Sequence, residues 1–552
     1  MRIALDIETN LRHDTIWCCC TYNLDTKEVM VWTEAQSFQE FIKKATLIVG
    51  HNGISFDFPV LNRVWKTTIQ MNQVRDTLVM SRLSNPTRDG GHSLANLARL
   101  VSRTKKEYED FEGGLTPEMV EYCKEDVTIC GELYNYLKKE LRDFSEQSVE
   151  LEHKVQWIVT GQERRGFKLD VAKAMGLVGD WERRLCEIEH ELQTVFPPIT
   201  TQRVSEKTGK QLKDDVEVFN PGSRQQIAKR LMSKGWKPTK HTEKGAVIVD
   251  ESVLDGVDIP EAKLIAEYLL IQKRVAQVKS WLTAVSEDGR VHGKVITNGA
   301  VTGRMTHHSP NMAQVPSSSS PWGHECRDCW TVIDNYLLVG ADASALELRM
   351  LAHYMKDQEY VKTVTEGSQE LGTDVHTKNQ RAAGLATRAQ AKTFIYALLY
   401  GAGPAKIGAI VGGGVKEGKD LTSAFLRNTP SLQKLRTKVE NLSAGGTIEG
   451  LDGRRLQIRS QHSALNTLLQ SAGAIVMKQA LVLLDEKLRK TKLDAHFVAN
   501  VHDEWQIECL EDEADMVGIL AVQSIREAGK VLKLRCPLDG EYKKGKTWAN
   551  TH

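Results

Sequence analysis

The segment Arg388-Ala-Gln-Ala-Lys392-Thr-Phe-Ile-Tyr396-Ala-Leu-Leu-Tyr400-Gly401 sets two cations and two tyrosines at strict four-residue intervals. On a helix that spacing lines them along one slowly rotating stripe. Two cations one turn apart suit a triphosphate, with Lys392 as a point charge and Arg388 as a planar fork. Tyrosine rings further along suit stacking on a base or a sugar. A mixed core-and-surface face is the plainer alternative, and two cations followed by two tyrosines fit it poorly.

Acids flank this segment on both sides. Residues 336–342 (YLLVGAD) read as an apolar strand ending in Asp342, with a helix starting at Ser344. Residues 497–509 (FVANVHDEWQIEC) read as two strands with His502-Asp503-Glu504 at their junction. Carboxylates at two strand ends suit a pair of Mg²⁺ ions. Asp503-Glu504 also fits an acidic hairpin turn. Ser344-Ala345-Leu346-Glu347 fits a capping box, in which Glu347 only closes the helix start.

A second acid set lies at the other end of the chain. Residues 2–8 (RIALDIE) read as a buried strand whose period of two projects Asp6 and Glu8 from one face. Asp57 follows the strand-and-turn stretch 46–58, in His51-Asn52-Gly53-Ile54-Ser55-Phe56-Asp57. Thr116 caps a helix with Pro117 at its first position, predicted to run through Leu141. Tyr122 and Asp126, four apart on that helix, share a face. Carboxylates drawn together raise each other's pKa unless cations neutralise them. Oxygen ligands in that number suit Mg²⁺ or Mn²⁺, which would activate a water for phosphodiester cleavage, with a tyrosine hydroxyl orienting it.

Taken together, Asp6-Ile7-Glu8, Asn52 with Phe56-Asp57, and Tyr122-x-x-x-Asp126 resemble the three signature segments of proofreading 3′–5′ exonucleases. Asp342–Arg349, Arg388–Gly401 and Val501-His502-Asp503-Glu504 resemble the palm and fingers motifs of the family A DNA polymerases. Thr302-Gly303-Arg304, Pro310-Asn311, Asp374-Val375-His376 and Asn466-Thr467-Leu468-Leu469-Gln470 support the match, which covers essentially the whole chain. Asn298–Arg304 and Ala464–Gly473 resemble the replicative polymerases of short-tailed bacteriophages almost letter for letter.

The resemblance implies an α/β, RNase H-like exonuclease domain over 1–145, then a right-hand polymerase. Linker helices and thumb would occupy 146–315, and palm and fingers 316–552, with the fingers at about 356–445. Asp6, Glu8, Asp57 and Asp126 would hold two metals, and Tyr122 would align the water. Asp342, the Ala343 carbonyl and Asp503 would hold two more, with Glu504 a neighbouring acid. Arg388, Lys392, Tyr396, His376 and Glu347 would contact the dNTP. Arg304, Asn311, Tyr400, Asn466, Gln470 and His502 would contact primer–template DNA. A replicative helicase-primase and a single-stranded DNA-binding protein are the implied partners of a monomer acting in the host cytoplasm.

Two departures stand out. The usual Ser-Gln after the palm aspartate is Ser344-Ala345, and His462 stands where many members carry an arginine. The stretch between the exonuclease and palm motifs is also short for the insertion with which one phage member docks thioredoxin.

Composition agrees with several soluble, folded domains. The 552 residues are 41% hydrophobic, and 73 Lys+Arg against 72 Asp+Glu give a net charge of +1. That balance excludes a uniformly basic binder and allows a local basic groove. Residues 224–244 supply one, with Arg224, Lys229, Arg230, Lys234, Lys237, Lys240 and Lys244 against Glu243 alone. A solvated helix face is the ordinary alternative. Ten cysteines are too few for a disulfide scaffold, and Cys18-Cys19-Cys20 fits a buried strand in a reducing compartment. Cys326-x-x-Cys329 beside His324 lacks a second ligand pair and reads as two ordinary thiols. No run reaches 18 apolar residues, and the strand-like start leaves no room for a signal peptide.

Three rivals lose ground on these residues. A nuclease with a degenerate polymerase domain would lack a palm acid or a fingers cation. A single-subunit RNA polymerase would not carry the exonuclease acids with Glu347. A non-catalytic DNA binder would not need seven positioned acids.

Overall fold

In the computed structural model, which describes residues 1–203, 209–211, 213–242 and 244–551, the strand Arg2–Thr9 of the N-terminal region is buried on both faces. Ile3, Leu5 and Ile7 pack with Phe38, Phe58 and Trp65, while Ala4 packs with Cys123 and Val127 of the helix Pro117–Glu140. Strand alternation therefore turns Asp6 and Glu8 toward that helix. The sheet has five strands in the order Val29–Trp32, Ile16–Asn23, Arg2–Thr9, Leu47–Gly50, Val74–Asp76. The first three are antiparallel and the last two join in parallel. Thr116 caps the helix as predicted, its hydroxyl accepting from the Met119 N–H at 3.1 Å.

By its contacts the chain divides into two units, one of Met1–Gly166, Gly293–Gln314 and Val332–His552, the other of Phe167–His292 and Val315–Thr331. In the first, a four-stranded antiparallel sheet runs Ala495–Val501, Glu504–Leu510, Tyr336–Ala343, Gly540–Gly545. It shares a core with the helices Ala464–Thr491 and Ala514–Val531 and with the helical segment from Leu346 to Leu442. The stretch Gln461–Thr491 is long and apolar enough to cross a membrane, but 78% of its apolar window is buried inside the protein. It is a core helix.

The helix Glu146–Arg165, assigned from sequence to the linker and thumb, lies in this first unit. Its fully buried Glu152 stands 2.7 Å from both Arg454 Nη1 and Lys478 Nζ, and Arg454 in turn forks onto Asp452. Two charges of each sign balance, as burial at this depth requires.

In the second unit the helices Val171–Val195 and Pro260–Ala284 pack on each other. The basic stretch is less free than its sequence suggests. Arg230 is buried with its guanidinium over the Phe219 ring, Lys229 pairs with Glu217 at 3.2 Å, and Lys234 pairs with Glu261. These three serve the unit itself: the helix Arg224–Ser233 turns Arg230 inward and Lys229 toward Glu217, and Lys234, just past its end, reaches Glu261. Glu243 lies outside the described residues. Cys326 and Cys329 are buried free thiols on and just after the helix Gly323–Asp328.

Candidate active sites

Asp342, next to last in its strand, lies opposite Glu504 on one side and Glu541 on the other. Asp503 lies in the tight turn before Glu504, where His502 takes a left-handed φ of 57°. The Ala343 N–H donates to the Asp503 carbonyl at 3.1 Å, so both acids lie at one end of the sheet. Burial, and then the neighbouring Glu347 charge, push the Asp503 carboxyl up to about 6. Glu504 is buried, and its Oε1 accepts from Trp548 Nε1 at 2.5 Å and Gln506 Nε2 at 2.6 Å.

The capping box, the alternative reading of Ser344–Glu347, does not form. The Ser344 N–H is bound to the Asp539 carbonyl at 3.0 Å, the chain turns through Ala345 at φ 51°, and the helix begins at Leu346 with no side-chain cap. Glu347 instead accepts from the Tyr400 hydroxyl at 2.9 Å and stands 3.5 Å from Arg304 Nη2. The Tyr400 carbonyl accepts from Asn466 Nδ2 at 3.2 Å, and Gln470 Nε2 donates to Asn466 Oδ1 at 2.7 Å. Arg304, Glu347, His502 and Asp503 line one cavity. Burial, then the Arg304 charge, holds His502 below its ordinary pKa. Asn311 serves a turn, its Oδ1 accepting from the Ala313 N–H at 3.1 Å.

The helix Arg388–Leu399 starts at a capping box on Thr387. Tyr396 stacks on Tyr400 with ring centres 6.3 Å apart and lies 6.1 Å from the His376 ring. Burial first, then the Glu347 charge, push both tyrosine hydroxyls up to about 12. Arg388 donates through Nε at 3.1 Å and Nη2 at 2.9 Å to Asp374, a partner the sequence did not predict. Burial works against ionisation of Asp374, but bonds from Arg388, Thr377 and the His376 N–H hold it down to about 2. Among the described residues, Lys392 makes no ion pair and buried His376 Nδ1 has no hydrogen-bond partner.

At the N-terminal site, Asp57 Oδ1 accepts the Ile7 N–H at 3.1 Å, which pins it between Asp6 and Glu8. Asp76 shapes the loop that delivers it, accepting from Asn52 at 2.9 Å and Ile54 at 3.1 Å. Tyr122 and Asp126 come from the capped helix. Lys105, also missed from sequence, pairs with Asp126 Oδ2, and its ammonium lies 4.3 Å from the centre of the Tyr122 ring. Buried Asp126 Oδ1 has no hydrogen-bond partner. Burial pushes Asp6 up to about 6 against the pull of Lys105, and burial with Asp6 pushes Glu8 up to about 9.

These groups fit divalent metal. Hard oxygen donors converge, one of them orphaned, and an ammonium stands in for a cation among them. In the metal-free fold the raised carboxyls favour their neutral forms. Their contribution to stability is full below the ordinary carboxylate range and is lost as pH rises toward about 9. Melting in chelator should therefore drop as pH rises through this window, and a saturating divalent cation should raise Tm more at about pH 8 than at about pH 6. Equal cation effects at both pH values would contradict this.

Comparison with known proteins covers both regions. Residues 199–550 match the family described as DNA polymerase family A, and residues 4–142 match a 3′–5′ exonuclease family. The DNA-directed DNA polymerase of Escherichia phage T7 is 33% identical over 712 aligned positions, covering 100% of each chain. That of Enterobacteria phage T3 is 34% identical over 93% of each. A solved structure, the POL domain of Pol1 from M. smegmatis in complex with DNA primer-template and dNTP, shares the fold with a TM-score of 0.82. It is 18% identical, covering 100% of this chain and 95% of that one.

Proposed function

Because this chain belongs to DNA polymerase family A and carries a 3′–5′ exonuclease domain, we propose that Asp342, the Ala343 carbonyl and Asp503 form its polymerising site and Asp6, Glu8, Asp57 and Asp126 its degrading site. The observation that carries the first assignment is the Ala343–Asp503 hydrogen bond, which sets both acids at one end of the sheet. The chain is a DNA-directed DNA polymerase, and its partners on this reading are primer–template DNA and dNTPs.

Two Mg²⁺ ions in each acid set, or Mn²⁺ in their place, would supply Lewis-acid stabilisation to the attacking and leaving oxygens of the phosphodiester. At the polymerising site the primer 3′-hydroxyl attacks the α-phosphate and pyrophosphate leaves. Lys392, His376 and Arg388 bind the triphosphate. Asp374 engages Nε and Nη2 of Arg388, so it aims the remaining Nη1 of the fork. Tyr396 lies against the sugar, and Glu347 closes the space at its 2′ carbon. Arg304, Asn311, Tyr400, Asn466, Gln470 and His502 contact the primer–template. At the degrading site the Tyr122 hydroxyl aligns the attacking water. Arg224, Lys237, Lys240 and Lys244, in the proposed thumb, track phosphates with little sequence preference.

One gel tests this. A labelled primer–template with Mg²⁺ should lengthen when dNTPs are present and shorten from its 3′ end when they are absent. A primer that changes in neither condition would overturn the proposal.

On this reading the enzyme serves phage replication with a helicase-primase and a single-stranded DNA-binding protein, and needs no thioredoxin. Reduced thioredoxin should leave product length on a long template unchanged. A large lengthening would show that the thumb region does hold a docking segment.

A further inference from the structure

Cys18 and Cys20 alternate on the strand Ile16–Asn23 and so project from one face, while Cys19 faces the opposite core. In register, Cys20 lies opposite Asp6 and Cys18 opposite Glu8. Cys123, one residue beyond Tyr122, comes from the helix above. All three thiols are free and fully buried, and their sulfurs lie within 4.8 Å of one another. Cys123 Sγ is also 3.6 Å from Asp6 Oδ2 and 3.5 Å from the Asp6 carbonyl oxygen. Asp6, Glu8 and Cys123 form a second group of donors within the same 4.8 Å. Cys123 therefore belongs to a sulfur site on one side and an oxygen site on the other.

Sulfur and oxygen donors select different metals. Thiolates take Zn²⁺, Cd²⁺ or Cu⁺, whereas carboxylates take Mg²⁺ or Mn²⁺. A tetrahedral Zn–S distance near 2.3 Å separates neighbouring sulfurs by about 3.8 Å, so side-chain adjustments well under a rotamer change close this site. We propose that Cys18, Cys20 and Cys123 bind one thiophilic d¹⁰ cation, with Asp6 Oδ2 as fourth ligand, and that its binding shuts off 3′ degradation. The three thiols release their protons to solvent as the metal–sulfur bonds form. Asp6 is drawn toward the sulfur site and lost to the hard-metal site. The binding stands on the thiols alone, while the shut-off rests on Asp6 belonging to the degrading site.

Cd²⁺ is the probe, added to the full-length chain in excess Mg²⁺. A sulfur-to-cadmium charge-transfer band should saturate with one more ion per chain in the wild type than in Cys18→Ala/Cys20→Ala. X-ray absorption of the wild type at one equivalent should count three sulfurs around cadmium, a result independent of how the variant folds. Over the same titration 3′ degradation should fall at least tenfold in the wild type and persist in the variant, with extension unaffected in both. Equal bands in the two proteins, or two or fewer sulfurs per ion, would overturn the site. Three-sulfur binding without loss of degradation would overturn the shut-off while leaving the site.

Discussion

Asp342→Ala and Asp503→Ala should each lower primer extension by more than about a hundredfold, since even an outer partner of a metal ligand is worth 10–100-fold. Degradation of the same primer from its 3′ end should continue. Asp6→Ala with Glu8→Ala should do the reverse. The physical reason is that each proposed carboxylate set would be neutralised by its own cations, and removing a ligand would leave the others repelling one another without a placed ion. Asp503 also offers a control for folding. Burial and Glu347 raise its carboxyl to about 6, so its charge is a burden on the metal-free fold. Asp503→Ala should therefore melt no lower than the wild type in chelator, which separates lost chemistry from lost structure. Loss of both activities in either variant would contradict two independent sites.

Glu347→Ala should admit ribonucleotides, and Tyr396→Phe should make the enzyme reject dideoxynucleotides far more strongly. Each change should exceed about 1.4 kcal/mol, the tenfold step in relative kcat/KM. Glu347 is not a helix cap. Its carboxylate is held by the Tyr400 hydroxyl and Arg304, in the cavity that also holds Asp503. A ribose 2′-hydroxyl directed there would meet a fixed acid, and alanine would leave room for it. For Tyr396, the phenol hydroxyl would replace a polar contact otherwise made by the missing 3′-hydroxyl, and phenylalanine cannot. Tyr400→Phe should relax ribose exclusion less than Glu347→Ala, because it frees the carboxylate without removing it. If Glu347→Ala melts lower but still excludes ribonucleotides, the gate lies elsewhere.

Local signals carried well from sequence to structure. Thr116-Pro117 starts its helix as predicted because the cap and the missing proline N–H are properties of adjacent residues. The alternation in RIALDIE holds for the same reason. The capping box at Ser344 failed because its outcome depends on Asp539, nearly two hundred residues away, which takes the Ser344 N–H and turns the chain at Ala345. Lys105 was invisible for a related reason. Arg103, Lys105 and Lys106 are neighbours in sequence, yet Arg103 pairs with Glu132 and Lys106 with Glu125, and only Lys105 reaches Asp126. The Asp374 carboxylate on Arg388 and the thiol cluster beside Asp6 likewise arise from chain segments that only folding brings together.

The two-site account is tested most directly by anomalous diffraction from crystals of the full chain soaked with Mn²⁺, primer–template and a non-hydrolysable dNTP. Manganese peaks should lie about 2.0–2.2 Å from carboxylate oxygens of Asp342 and Asp503, and others at the same distance from Asp6, Glu8, Asp57 and Asp126. A nucleotide bound against Arg388 and Lys392 with no manganese beside Asp342 and Asp503 would contradict it.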